Sequence, residues 1–306
     1  MDKSKLQVWL AAIRPRTLPL ALSCIGLGSI LAAWQNQFSW HIFWLACLTT
    51  IFLQVLSNLA NDYGDFVHGA DSITREGPSR AVQSGAIPAK TMKLALVIFT
   101  VLSLISGIVL LVIAFGANKK LFIIFLTLGI SAILAAIAYT NGKKPYGYIG
   151  LGDIFVLIFF GIVGVLGTFY LHAENLDISM LLPALSCGFF STGVLNVNNI
   201  RDIKSDQQAG KKSIPVRFGK NKAVIYHAFL LLSGLAFSVL FMILHYRSLW
   251  QFLFLLSSPL FIFNIYKVNK YSNPSLLDPQ LRQLAITTML YVILFGLGLL
   301  LPGQVN

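Results

Sequence analysis

Nine apolar stretches, each close to the roughly 20 residues that carry a helix across a bilayer, dominate this 306-residue chain. They fall at about 17–34, 41–60, 94–115, 121–139, 149–171, 179–198, 223–244, 249–266 and 284–301. Runs this long with so few charges exclude a soluble domain. They predict an all-α integral membrane bundle of nine transmembrane helices, because a helix satisfies its own backbone groups where lipid offers no partner. Composition agrees, with 56% hydrophobic and 11% charged residues and a mean hydropathy of +0.75. Nothing marks a separate soluble unit, so residues 1–306 are read as a single membrane domain. The basic N-terminus lacks a small-residue cleavage site before its long apolar run, which predicts a retained first helix. Cys24, Cys47 and Cys187 all lie inside apolar runs and read as small buried hydrophobes.

The formal charge of +12 invites a nucleic-acid partner, but the positions of the basic residues explain it otherwise. With Met1 placed in the cytoplasm, every Lys and Arg falls on the cytoplasmic side except Lys119, Lys120 and Arg247. Such asymmetry is the charge signature of membrane topology. It predicts a multi-pass protein of the cell inner (cytoplasmic) membrane, with the bilayer and not nucleic acid as its surroundings. Trp34, Trp40, Trp44 and Trp250 lie near the opposite ends of the helices, where interface anchoring accounts for them.

The acidic residues carry the functional signal. Asp62, Asp65, Asp71 and Glu76 crowd into "NDYGDFVHGADSITRE", directly after the second apolar stretch. Asp202 and Asp206 recur in "NVNNIRDIKSDQQAGKKSIPVRFG", after the sixth. Both clusters therefore face the same side. Asn58, Asn61 or Asp62, and Asp65 share one helical stripe if the second helix persists to about residue 66, and Asn199, Asp202 and Asp206 share another. Stacked carboxylates near a membrane repel one another and lose solvation, a cost that a divalent cation offsets. Mg²⁺ takes oxygen ligands and typically binds through one or two carboxylates plus substrate phosphate oxygens. Two facing stripes thus suit two Mg²⁺ ions with a diphosphate between them, and Arg75, Arg80, Arg201, Lys204, Lys211 and Lys212 are placed to take the remaining phosphate charge.

Further candidates lie in "YTNGKKPYGYIGLGD", where Tyr139 and Lys143 sit four apart and Asp153 enters the fifth apolar run. A carboxylate heading into a membrane helix is a functional candidate by default. The glycine pattern Gly147, Gly150, Gly152 has no preceding strand and is not a nucleotide fingerprint. A cation or phosphate transporter would need polar groups deep in the helices and in repeated halves. Here the aspartates cluster at one mouth.

At these two acidic loops the chain resembles the UbiA superfamily of intramembrane aromatic prenyltransferases, and the resemblance runs from "IRPRTLPLAL" to the last helix. "SNLANDYGDFVHGAD", "GPSRAVQSG" and "PYGYIGLGDIFVLIFFG" resemble its menaquinone branch, which acts on 1,4-dihydroxy-2-naphthoate. The resemblance implies nine helices, Mg²⁺, and transfer of a polyprenyl chain from a prenyl diphosphate to that acceptor with loss of diphosphate and CO₂. Other aromatic acceptors, 4-hydroxybenzoate or homogentisate, stand as alternatives. It implies Asn61, Asp62, Asp65, Asp71, Asp202 and Asp206 as the metal set. Asp65, Asp202, Tyr139, Lys143 and Asp153 become the catalytic set, and Asn61, Arg14, Arg75, Arg80, Lys143, Lys204 and Lys211 bind diphosphate. One departure stands out. Relatives acting on 4-hydroxybenzoate carry the last aspartate of the first motif where this chain has Gly69, and Asp71 lies two residues further on.

Overall fold

The computed structural model describes residues 4–69 and 80–301. Among them nine helices are long and apolar enough to cross a membrane. We number them α1 (Lys5–Trp34), α2 (Trp40–Val67), α3 (Ala89–Phe115), α4 (Lys119–Ala138), α5 (Gly152–Ala173), α6 (Ile178–Arg201), α7 (Ile214–Leu244), α8 (Leu249–Lys270) and α9 (Pro274–Leu300). The nine-span expectation is met, but several helices overrun their apolar stretches. The apolar run measures only the hydrocarbon thickness, whereas the hydrogen-bond ladder continues into the polar interface. At 1.5 Å per residue the 28 residues of α2 reach about 42 Å, more than the ≈ 30 Å core. Its acidic end therefore projects beyond the lipid.

α1 is broken where Arg14 adopts a left-handed conformation (φ 54°) before Pro15. The short piece ahead of the break, Lys5–Ile13, opens on a capping box made by Ser4 and Gln7. Asn58 of α2 holds the break in place, donating to the Ile13 carbonyl at 2.8 Å and to the Thr17 hydroxyl at 3.0 Å.

Beyond the break α1 is central, packing on α2, α5, α6 and α9. The core of the later helices is aromatic: Phe190 stacks on Phe261 (4.4 Å) and meets Tyr291 edge-on (4.9 Å). The Tyr291 hydroxyl lies 2.7 Å from that of Ser238. Cys24 and Cys187 are free, buried thiols, as expected. Trp40, Trp44 and Trp250 are exposed, whereas Trp34 is half-buried. Its ring is covered by His245 and by the Arg247 guanidinium 5.3 Å away.

α5 and α6 approach closely through Gly161 and Gly188. A Cβ on Gly161 would lie 2.9 Å from the Gly188 Cα, and one on Gly188 would lie 3.1 Å from the Gly161 Cα. Small residues drive such contacts in membranes, where no hydrophobic effect separates helix from lipid. Across this contact, Leu157–Gly167 winds with π geometry. Gly188→Leu is expected to overpack the seam at a cost of about 1–3 kcal/mol, read as a lowered unfolding temperature in detergent. An unchanged temperature would show that the seam is not tight.

α4 is the thin wall of the bundle. It packs mainly on α2 and α3, touches α5 where Phe125 stacks on Tyr170 at 5.4 Å, and has Ile133 as its one buried residue.

Candidate active site

A cavity of ≈ 490 Å³ opens among α1 to α6. Its depth is apolar, lined by Leu53, Ile108, Phe125, Ile133, Phe159 and Val163. Its mouth is polar, and both acidic motifs contribute to it through Asn61, Asp65, Asp202 and Asp206.

Asp65 is 2% exposed. One oxygen accepts from the Tyr148 hydroxyl at 2.9 Å and lies 3.3 Å from the Lys211 ammonium. The other is paired with Arg80. The same Lys211 ammonium lies 3.3 Å from Asp206 and 4.9 Å from the centre of the Tyr148 ring. One cation thus joins the two motifs, 141 positions apart. Burial pushes the Asp206 carboxyl above its ordinary range, with Lys211 opposing and Asp202 and Asp65 adding to the shift. Asp202 is gripped by both arms of Arg201 at 2.8 Å. Arg201 also reaches Asp278 (2.7 Å), whose other oxygen takes Arg16 (2.5 Å). That chain fastens the second motif to α9 and to the break in α1.

Asp62, expected among the metal ligands, is held by backbone amides in this structure. Its two oxygens accept the backbone N–H groups of Ala81 (3.0 Å) and Val82 (3.2 Å), and it does not line the cavity. On a helix, residues three apart point only some 60° from each other, so both acids share the side that meets the returning loop, and Asp65 is the one that lines the mouth. The loop 80–82 clasps both acids, with the Arg80 side chain on Asp65 and the next two amides on Asp62.

Tyr139 lines the cavity. Burial raises its phenol, and Asp206, Asp65 and Asp153 raise it further, so it stays protonated. The glycines that resemble a nucleotide fingerprint make room for this ring. A Cβ on Gly147 would lie 2.9 Å from it, and one on Gly152 3.2 Å. The neighbouring Thr140 and Asn141 clamp the acidic end of α2, donating to the Ala60 carbonyl at 3.0 and 2.9 Å. Asp153 is buried on the cavity wall, with the Tyr226 hydroxyl 3.5 Å away.

Arg14, Arg80 and Lys211 line the mouth. Lys143 and Lys204 do not: both are exposed and outside the cavity lining. Lys143 lies on a bend and Lys204 on the outer side of the short helix Ile203–Gln208, both facing water, which spacing alone does not reveal. Asp71 and Arg75 lie outside the described residues. Tyr148 and Asp278 were not singled out by the sequence. Tyr148 stands in the glycine-rich turn beside Asp153, a faint signal, and Asp278 had none.

Among the described residues no three acidic, His or Cys side chains form a ready-made metal cage. Mg²⁺ does not need one, since it keeps waters and uses phosphate oxygens. The donor set at the mouth consists of hard oxygens, from Asp65, Asp202, Asp206, Asn61, Asn198 and Asn199. It fits such an ion, and the Lys211 ammonium already sits between two of its carboxylates.

The sequence matches the UbiA prenyltransferase family over residues 21–284. It is 46% identical over 298 residues to the 1,4-dihydroxy-2-naphthoate octaprenyltransferase of Escherichia coli, covering 97% of this chain and 96% of that one. It is 47% identical over 307 residues to the enzyme of the same name from Haemophilus influenzae, covering 98% of each. In fold it is similar to a UbiA homolog from Archaeoglobus fulgidus solved with DMAPP and Mg²⁺ bound, with a TM-score of 0.62, 17% identity, and 95% and 98% of the two chains covered. With the fold, the family match and these full-length relatives in agreement, the chain belongs to the UbiA prenyltransferase family of multi-pass membrane proteins.

Proposed function

We propose that the chain transfers a polyprenyl group from a prenyl diphosphate to 1,4-dihydroxy-2-naphthoate, releasing diphosphate and CO₂ and yielding a demethylmenaquinol-type product for menaquinone biosynthesis. The observation that carries this reading is the meeting of Asp65 and Asp206, one from each motif, on a single ammonium at the mouth of an apolar cavity. The names of the full-length relatives favour this acceptor and a long, octaprenyl donor. The distribution of Lys and Arg supports a mouth that opens to the cytoplasm from the inner membrane.

In this mechanism the diphosphate enters the mouth and competes with Asp65 and Asp206 for Arg80 and Lys211. Charge-assisted bonds from these donors orient it. Asp65, Asp202, Asp206 and Asn61 would hold Mg²⁺ at this mouth, and the ion would supply positive charge to offset that of the leaving group. The C1–O bond breaks, the electron pair leaves with diphosphate, and an allylic cation remains at the neck of the cavity. Tyr139 offers its ring face to that cation, and the apolar walls keep water from it. The tail runs along α4, where the wall is thin. A ring carbon of the acceptor, oriented by Asp153, supplies the pair for the new C–C bond. The ring carboxylate departs as CO₂, its bonding pair restoring the aromatic ring.

Purified protein in liposomes with Mg²⁺, octaprenyl diphosphate and dihydroxynaphthoate is expected to release diphosphate and CO₂ together. EDTA is expected to stop the release. 4-Hydroxybenzoate and homogentisate should turn over at least about tenfold more slowly, because a polar site rejects an acceptor that leaves its groups unpaired. Equal rates would overturn the acceptor assignment. Ion flux with no prenylated product would overturn the enzyme class.

A further inference from the structure

A second hollow, of ≈ 370 Å³, lies on the outside of the bundle between α7 and α8. Its floor is apolar, formed by Val224, Ala228 and Ile265, with Ile225 70% exposed at its side. Its rim is polar, formed by Asn221, Tyr266 and Asn269. The rim lies near the start of α7 and the end of α8, which is the membrane end that also carries Asp206 and Lys211. There the chain turns at Gly219 (φ 80°), and Lys220 donates to the Tyr271 carbonyl, tying the two helices together above the hollow.

Two further ammonium groups flank this rim. That of Lys270 lies 5.6 Å over the Tyr266 ring. That of Lys222, next to Asn221, lies 5.9 Å from the Phe218 ring. Among the described residues no carboxylate pairs with either. Lysines that merely snorkel to the interface need no cleft beneath them. Here an open apolar seam runs into the bilayer directly under uncompensated positive charge.

We propose that this groove is a binding site for an anionic phospholipid of the surrounding bilayer. One acyl chain lies on Val224, Ala228 and Ile265. The phosphodiester sits between Lys222 and Lys270, and Asn221 and Asn269 donate to the glycerol ester oxygens. Basic pockets between membrane helices recognise headgroups by this combination of charge and apolar seam. The assignment is independent of the catalytic reading, since none of these residues lines the central cavity.

Native mass spectrometry of the detergent-solubilised protein, titrated with dioleoylphosphatidylglycerol or dioleoylphosphatidylcholine, tests it. The expected result is one saturable phosphatidylglycerol adduct, with phosphatidylcholine at least about tenfold weaker. Combined K222Q/K270Q should weaken the phosphatidylglycerol adduct about tenfold or more and leave phosphatidylcholine unchanged. Ala228→Trp keeps every charge but fills the seam, and should abolish the saturable adduct. If Ala228→Trp fails to fold, the surface lysine pair decides alone. Equal binding of the two lipids, or a double variant that binds like the parent, would overturn the proposal. So would a folded Ala228→Trp that retains the adduct, or displacement of the adduct by inorganic phosphate, which would show a headgroup-only anion site.

Discussion

Asp65→Asn is expected to lower kcat/KM for prenyl transfer on the order of 10³-fold, the scale at which losing one preorganised electrostatic contact is felt. The substitution keeps volume and leaves an oxygen to accept from Tyr148, so the end of α2 keeps its shape. What it removes is the charge that faces Arg80 and Lys211 and that would hold a metal ion. Some stability is lost as well, because two cations lose a buried partner. Turnover must therefore be normalised to the folded fraction. The informative comparison is Asp62→Asn. Asp62 receives two backbone amides from the loop at 81–82, and an asparagine would turn its NH₂ group toward one of them. The expected cost is about 1–3 kcal/mol of stability, with folded protein retaining far more turnover than Asp65→Asn. Loss of turnover to the same extent in both variants, with stability unchanged in Asp62→Asn, would overturn this division of labour.

Lys211→Gln is expected to have two effects of opposite sign. The ammonium neutralises Asp65 and Asp206 while no diphosphate is present, so it competes with a divalent cation for those carboxylates. Removing it should tighten Mn²⁺ binding to the substrate-free protein by about tenfold, the equivalent of one pKa unit of interaction. The same change deprives the diphosphate of a charge-assisted partner. KM for the prenyl diphosphate should rise about tenfold or more, with kcat reduced. Electron paramagnetic resonance of Mn²⁺ reads the first effect without any turnover, and steady-state kinetics read the second. An unchanged Mn²⁺ affinity together with an unchanged KM would show that Lys211 is only a structural tie.

The pairing of Asp65 with Asp206 shows how far the residues alone could lead. Both were legible as acids at the ends of even-numbered helices on one side of the membrane. Tyr139 was legible from its spacing to Lys143, yet the two part company in the structure: Tyr139 enters the cavity and Lys143 faces water. Lys204 likewise lies on the outer side of a short helix while Asp206 lines the cavity. The glycines at 147 and 152 were correctly refused as a nucleotide motif, but their real use, clearance for the Tyr139 ring, needed coordinates. Asp278 was invisible, because nothing local to it signals a link to Arg16 and Arg201.

The sequence by itself determined the nine spans, the asymmetry of basic charge and the presence of two acidic clusters. Each of these is a property of one segment, written in hydropathy, helical period and the cost of placing charge in lipid. Only the tertiary structure decided which acids share the mouth, that Asp62 holds the loop at 81–82, that Lys211 bridges the motifs, and that α7 and α8 leave a seam between them. These outcomes depend on how helices far apart in the chain rotate and pack against one another. That rotation is set by side-chain volume and close glycine contacts across the bundle, and the period of any single helix carries no record of it.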